Sequence, residues 1–277
     1  MAALLEGRLA IVCSKTDPAS MNIKDKLLKL MDFKRMGESI QGEEVYELDG
    51  VLLVTISKET IHAEDLESFL RVGGVIFASR HAAESGMPAF LAHTPGNWTD
   101  EALYGGRPRS VCIAMPTHLA KVVRALDKIR GEEGFSEWRC GLEVTHHGPY
   151  LEHTPAMFVE LGSTHREWCN DKAAKVVARA IAEALDAPEE GAVAVGFGGP
   201  HYAPQFSKIV LSKELAISHI VPKYAFPKVS VRELKLAIER SVIRPSVALI
   251  DWKGLKSDER QMVLRVCDEE GLSIRKI

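Results

Sequence analysis

Gly141-Leu-Glu-Val-Thr-His-His-Gly-Pro-Tyr150 carries an apolar, strand-like run directly into two adjacent histidines and a Gly-Pro turn. Read as a strand over Cys140 to Thr145, it would send Glu143, Thr145 and His147 to one face and Val144 and His146 to the other, because successive side chains alternate. Both imidazoles then serve one site only if the strand stops before them. Gly148-Pro149 allows this: glycine frees the backbone, and the residue before proline is restricted to extended or turn geometry. Neutral imidazole is a common metal ligand and titrates near neutral pH, so a His pair beside Glu143 suits zinc binding or general-base work. The plainer alternative is a hydrogen-bonded pair that closes a strand.

Outward from this segment, short apolar runs alternate with helical patterns. Strands are expected at Arg8 to Cys13, Val51 to Ile56, Gly74 to Ser79, Val111 to Ala114, Ala156 to Leu161, Ala192 to Phe197, Ala216 to Val221, Val247 to Asp251 and Leu272 to Ile277. Asp17-Pro18 reads as a cap followed by proline in the first helical turn, with Ile23, Leu27, Leu30 and Met31 on one face. Asn170 opens a second helix, and Met262, Val263, Val266 and Cys267 mark another near the end. Alternation of this kind predicts an α/β fold with a mixed, largely parallel sheet and helices on both sides. Ligands in such folds collect beyond the carboxyl ends of strands, where three His/Glu clusters are expected. No linker divides the chain, so residues 1–277 are read as one domain.

The second cluster, Glu160-Leu-Gly-Ser-Thr-His-Arg-Glu-Trp168, holds two carboxylates. Thr164-x-x-Glu167 matches a capping box, and the competing reading makes Glu167 a site carboxylate for a metal or a substrate ammonium. His165 reads as a surface residue. The third, Gly196-Phe-Gly-Gly-Pro-His201, is a turn whose backbone N–H groups can approach an anion, although it lacks the order of a phosphate loop or dinucleotide site. Tyr202 and Lys208 nearby strengthen its claim, and His219 is a candidate from an adjacent strand end. His93-Thr-Pro-Gly-Asn-Trp98 is a turn with a tryptophan that either stacks a base or is buried.

Composition narrows the class. The 277 residues are 46% hydrophobic and 26% charged, enough for a full core. No window is long and apolar enough to span a membrane and the start lacks a secretory pattern, so a cytoplasmic protein is expected. Five scattered cysteines without Cys-x-x-Cys spacing read as reduced thiols. The formal charge of −3 hides a polarity. Residues 37–70 carry Glu38, Glu43, Glu44, Glu47, Asp49, Glu59, Glu64, Asp65 and Glu67 against Lys58. Residues 205–245 carry Lys208, Lys213, Lys223, Lys228, Arg232, Lys235, Arg240 and Arg244 against three acids. One face meeting phosphates is compatible with this, as is simple solvation. Absence of a Gly-x-Ser-x-Gly elbow, a His-Glu-x-x-His helix and kinase motifs leaves activated water as the better nucleophile candidate.

Taken in order, Ala78-Ser-Arg-His81, Gly96-Asn-Trp98, Glu143-Val-Thr-His-His-Gly-Pro149, Glu160-Leu-Gly-Ser163 with Glu167-Trp168, Gly199-Pro-His-Tyr-Ala-Pro204, His219 with Pro222-Lys-Tyr224, and Asp251-Trp-Lys-Gly254 resemble the archaeal and plant type of D-aminoacyl-tRNA deacylase. The likeness runs over nearly the whole chain, with departures at Pro200 and Thr94-Pro95. It implies a phosphorylase/hydrolase-like three-layer α/β/α fold, hydrolysis of the ester joining a D-amino acid to tRNA in translation quality control, and dependence on zinc. Under that reading His146, His147, Glu143 and His201 carry the chemistry. His146, His147, His201 and His219 are the candidate metal ligands, and Glu167, Gly148, Tyr202, Lys208 and Lys223 bind substrate. The basic segment would meet acceptor-stem phosphates. A monomer or weak dimer, with no membrane partner, is expected. A zinc amidohydrolase or aminopeptidase would use the same residues, and a non-catalytic tRNA-binding protein would hold its histidines for structure alone.

Overall fold

Leu9, Ile11 and Cys13 face one way from the strand Leu9–Ser14 and Ala10 and Val12 the other, and both sets are buried. Burial on two sides places this strand inside a covered sheet. The computed structural model describes residues 4–187 and 191–277. Its central sheet has eight strands in the order Arg139–Leu142, Ala89–His93, Ala156–Ser163, Val75–Ala82, Leu9–Ser14, Val51–Ile56, Glu43–Leu48 and Lys34–Ile40. The core pairings are parallel, while Ala89–His93 runs antiparallel to Ala156–Ser163 and the last two strands form an antiparallel hairpin. The fold is therefore α/β around a mixed, largely parallel sheet. A second sheet, all parallel, orders Ala216–Val221, Val193–Phe197, Val247–Ile250 and Ser273–Lys276.

The two faces of the central sheet are covered differently. On one, the helices Pro18–Leu30, Pro116–Glu132 and Asp171–Ala184 bury Ile23, Leu27, Val122, Leu126, Val177 and Ile181 against Ile11, Leu53 and Ile76. Asp17 and Asn170 cap the first and third, each accepting two backbone N–H bonds. Ala194, Ile217 and Leu249 of the second sheet join the same core. On the other face, Val12, Val54, Phe77 and Phe158 are covered by Ala63 and Leu66 of a segment with short 3-10 turns, and by Leu151. That thinner cover leaves room over the sheet for a cavity. Helices Val231–Glu239 and Ser257–Glu269 cover the second sheet through Leu234, Ile238, Val263 and Val266. Among the described residues no helix is long and apolar enough to cross a membrane.

Three differences from the sequence reading matter. The strand read as Cys140 to Thr145 ends at Leu142. The run at Val111 to Ala114 pairs only through Ser110–Val111, with isolated bridges from Ile113 and Ala114. The strand Ala89–His93 and the hairpin Lys34–Leu48 had no reading: the hairpin's first strand is exposed at all but Ile40, so no apolar alternation marks it.

Candidate active site

Residues 77, 79 and 81 point to the thinly covered face, in register with 158, 160 and 162 of the neighbouring strand. His81 and Glu160 therefore stand together above Phe158, an apolar floor that also stacks the His93 ring at 5.1 Å with planes 4° apart. Because Ala89–His93 runs against Ala156–Ser163 and parallel to Arg139–Leu142, the chain leaving Leu142 passes back over this face. The cavity is lined at the carboxyl ends of the strands Leu9–Ser14, Val51–Ile56, Val75–Ala82, Arg139–Leu142 and Val193–Phe197, by Asp17, Glu59, His81, His146, His147 and His201, where the sequence reading expected ligands to collect; Glu160 reaches it from within its strand.

Strand termination at Leu142 satisfies the condition on the two histidines. His147 adopts φ 44°, a left-handed conformation that only a constrained side-chain-bearing residue holds. Gly96 N–H donates to the carbonyls of His146 and His147 at 3.2 and 2.7 Å, which fixes the turn. The two rings then sit 4.4 Å apart by centroid, His93 lies 4.1 Å from His146 and 4.7 Å from His147, and His201 lies 4.5 Å from His146. His201 arrives on the turn after Val193–Phe197, brought in by the second sheet.

Tautomers follow from the partners. Nδ1–H of His146 donates to the Val144 carbonyl at 2.8 Å, that of His147 to Gly148 at 2.6 Å, and that of His93 to Thr94 at 3.2 Å. A carbonyl only accepts, so each Nε2 carries its lone pair toward the shared centre. His147 Nε2 and His93 Nε2 stand 3.9 and 3.8 Å from Glu160 Oε1. His81 Nδ1 lies 3.4 Å from Glu160 and 3.5 Å from Glu143, and His201 Nε2 lies 2.9 Å from Glu143 Oε1. That last approach is not aligned as a hydrogen bond. Both Glu143 oxygens and His93 Nε2 are buried without a hydrogen-bond partner.

Burial and the neighbouring imidazoles hold His146 well below the usual histidine range, and burial followed by His93 pushes His147 down to about 4. Both are neutral at pH 7. Burial would raise Glu160, but the nearby His81 and His93 rings outweigh this and hold it far below the carboxylate range. Burial would likewise lower His81, and Glu160 and Glu143 reverse the sign. Glu160 and His81 stand 3.4 Å apart beneath the neutral His146 and His147. The space above is a cavity of about 560 Å³, walled by Asp17, Glu59, Arg80 and Tyr104 opposite the histidines.

Among the residues singled out from sequence, His146, His147, Glu143 and His201 come together. His219 does not: its Nε2–H donates to the Arg240 carbonyl at 2.8 Å and its Nδ1 accepts from Thr145 at 3.1 Å, leaving no nitrogen for a metal. Trp98 is buried edge-on to His219, its Nε1 donating to the Thr145 carbonyl, so no base stacks on it. Glu167 is also elsewhere engaged. Its carboxylate accepts from Thr164 N–H at 3.0 Å and the Thr164 hydroxyl at 2.6 Å, a capping box, and pairs with Arg166. We expect Glu167→Ala to lower unfolding stability by about 1 kcal/mol while keeping wild-type turnover; denaturant melts beside a rate assay check this, and a large rate loss at unchanged stability would restore a site role.

Gly148 touches the site through its backbone, donating to the Tyr104 carbonyl at 3.0 Å; a Cβ there would meet Gly106 N at 2.2 Å. Tyr202 borders the site with its hydroxyl 3.4 Å from His81 Nε2 and its ring 3.9 Å under the Arg139 guanidinium. Lys208 lines an adjoining cavity of about 700 Å³ with Arg139 and Tyr202, and Lys223 is exposed on the turn beyond Val221. His81, His93 and Glu160 had no assigned role. Their signal was a polar residue inside or closing an otherwise apolar strand.

Five imidazoles and two buried carboxylates around one cavity of an α/β protein mark a candidate enzyme active site. A family model described as D-aminoacyl-tRNA deacylase matches residues 69–275. The D-aminoacyl-tRNA deacylase of Thermococcus kodakarensis is 38% identical over 270 residues, covering 95% of this chain and 97% of that protein. That of Pyrococcus furiosus is 35% identical over 272 residues, covering 96% and 98%. A crystal structure of a conserved protein of unknown function superposes with a TM-score of 0.89 at 31% identity, covering 98% of this chain and 95% of that one. The chain belongs to the D-aminoacyl-tRNA deacylase family.

Proposed function

We propose that the protein hydrolyses the ester between a D-amino acid and the 3′ end of tRNA, releasing both, in the cavity above His81 and Glu160. The observation that carries this reading is the convergence of His93, His146 and His147, each with Nε2 turned inward, beside the unpartnered Glu143 and the ionised Glu160. An aminoacyl ester is already reactive. The residues need to position water, take its proton as it attacks the carbonyl carbon, and return a proton to the departing ribose oxygen. A neutral His147 or His146 suits the first transfer, and its imidazolium form the second. Glu160 then stabilises the transient positive charge, being ionised and within 4 Å of His147 Nε2.

The residues also fit a zinc ion. His93 Nε2 and both Glu143 oxygens are buried without partners, which costs stability unless something binds them. The ligand atoms of His93, His146 and His147 lie within 4.8 Å of one another, as do those of Glu143, His146 and His201, and of His81, Glu143 and Glu160. Nitrogen donors with carboxylate oxygen suit zinc. His93, His146 and His147 would hold it through Nε2, with Glu143 and His201 beside them; those lone pairs would then be spent on the ion, and the proton transfers otherwise made by His146 or His147 would pass to Glu143. Zinc bound there would supply Lewis acidity toward the ester carbonyl and a more acidic water.

The test is release of tyrosine from D-tyrosyl-tRNA and L-tyrosyl-tRNA, with a D-tyrosyl dipeptide as a third substrate. Cleavage of the D ester alone is the expected result. Cleavage of the peptide with the tRNA esters untouched would replace this reading with a peptidase.

A further inference from the structure

Arg107, Arg109, Arg232 and Arg240 surround a second groove of about 440 Å³ together with Tyr150. The Tyr150 ring has Arg107 5.4 Å from its centroid and Arg240 at 5.8 Å. Two of the four guanidiniums hold the fold. Arg109 is paired with Asp100 and Glu233, and Arg240 donates to the carbonyls of Val111, Leu151 and Glu152. Arg107 and Arg232 are exposed and form no ion pair among the described residues. Much of the basic stretch read from sequence is neutralised internally: Lys228 pairs with Glu101, Lys235 with Glu269 and Glu270, and Arg244 with Glu270. Lys208, Lys213 and Lys223 of that stretch line no part of this groove, which gathers Arg232 and Arg240 from it beside Arg107 and Arg109.

The groove is mounted on the same two segments that wall the active cavity. Residues 104–107 lead from Tyr104, at the cavity wall, to Arg107, and residues 147–150 lead from His147 to Tyr150. Three residues span at most about 11 Å, so each segment reaches from cavity to groove in a short step. The two segments are bonded to each other by Gly148 N–H to the Tyr104 carbonyl, and Gly106, at φ 80°, lets them meet: a Cβ there would stand 2.9 Å from Gly148 Cα. Charge and chemistry are held at one fixed spacing.

Resting on the deacylase reading, we propose that this groove seats backbone phosphates of the tRNA strand close to its aminoacylated 3′ end, with Arg107 and Arg232 as the phosphate contacts and Tyr150 as a platform for a base or ribose. A fixed, fork-shaped donor pair suits phosphate oxygens better than flexible lysines do.

The experiment measures binding of uncharged tRNA across a salt series, and deacylation of D-tyrosyl-tRNA and of the small ester D-tyrosyl-adenosine, for wild type, Arg107→Ala/Arg232→Ala and the control Lys175→Ala on the helix Asp171–Ala184. The double variant should bind tRNA roughly tenfold more weakly at physiological salt, with the slope of log affinity against log salt reduced by about 1 to 2. Its KM for D-tyrosyl-tRNA should rise with kcat unchanged, and cleavage of the small ester should match wild type. The control should change nothing. Equal tRNA affinity and slope in wild type and double variant would overturn the groove, whatever anionic protein it then bound. Weakened tRNA binding in an enzyme that cleaves neither ester would uphold the groove and reject the deacylase reading.

Discussion

His147→Ala should lower kcat for D-tyrosyl-tRNA by about 10²- to 10⁴-fold, the span a positioned general base supplies, and a large loss is equally expected where its Nε2 holds zinc instead. The ring is held from both sides: Nδ1–H bonds to the Gly148 carbonyl and Nε2 faces Glu160 Oε1 at 3.9 Å. Its depressed pKa, pushed down to about 4 by burial and by His93, keeps it unprotonated at neutral pH. His146→Ala should fall in the same range, since its Nε2 faces the same centre and its Nδ1–H is fixed on Val144. Thermal melts of both variants separate this loss from the cost of the bond each ring gives up, to Val144 for His146 and to Gly148 for His147. Near-native rates in both would reject water activation by this pair.

Prolonged chelation should remove a metal and the activity together, and stoichiometric zinc should restore both. Metal content is read by elemental analysis, separately from turnover. His93→Ala should reduce zinc retention by at least tenfold even at saturating substrate, because His93 Nε2 has no other partner and its ring is fixed on Phe158. Removing the ion should also lower thermal stability, since binding to the folded state alone stabilises it and the emptied centre leaves Glu143 without a partner. Metal-free protein with full activity and unchanged melting would remove zinc from the account.

The strand-to-histidine segment was legible because its chemistry is local. An apolar run, two imidazoles and Gly-Pro occupy neighbouring positions, and the one condition they needed, an early strand end, concerned the same few residues. The helices opened by Asp17 and Asn170 were legible for the same reason, since a cap and its first turn are adjacent in sequence. His93 and His81 were not, because their place depends on which strand lies beside which. Ala89–His93 reverses direction against Ala156–Ser163, and nothing within that short apolar run encodes an antiparallel neighbour. Thr164-x-x-Glu167 was balanced between cap and site, since spacing alone serves both; only the bonds to Thr164 decide it. His219 looked like a site histidine at a strand end until Arg240, distant in sequence, occupied its Nε2. Net charge by segment pointed to a stretch that supplies Arg232 and Arg240 to the groove but overstated its free charge, because ion pairs such as Lys235 with Glu269 form across helices that the count treats as independent.

The most direct measurement is a crystal structure with a D-tyrosyl-adenosine analogue in which an amide replaces the ester. The analogue's carbonyl carbon is expected about 3 to 3.5 Å from a water that is hydrogen-bonded to His146 and His147, with the adenosine leaving past Tyr104 toward Arg107. An analogue seated instead in the adjoining cavity between Arg139 and Lys208, with the histidine cluster untouched, would contradict the proposed site.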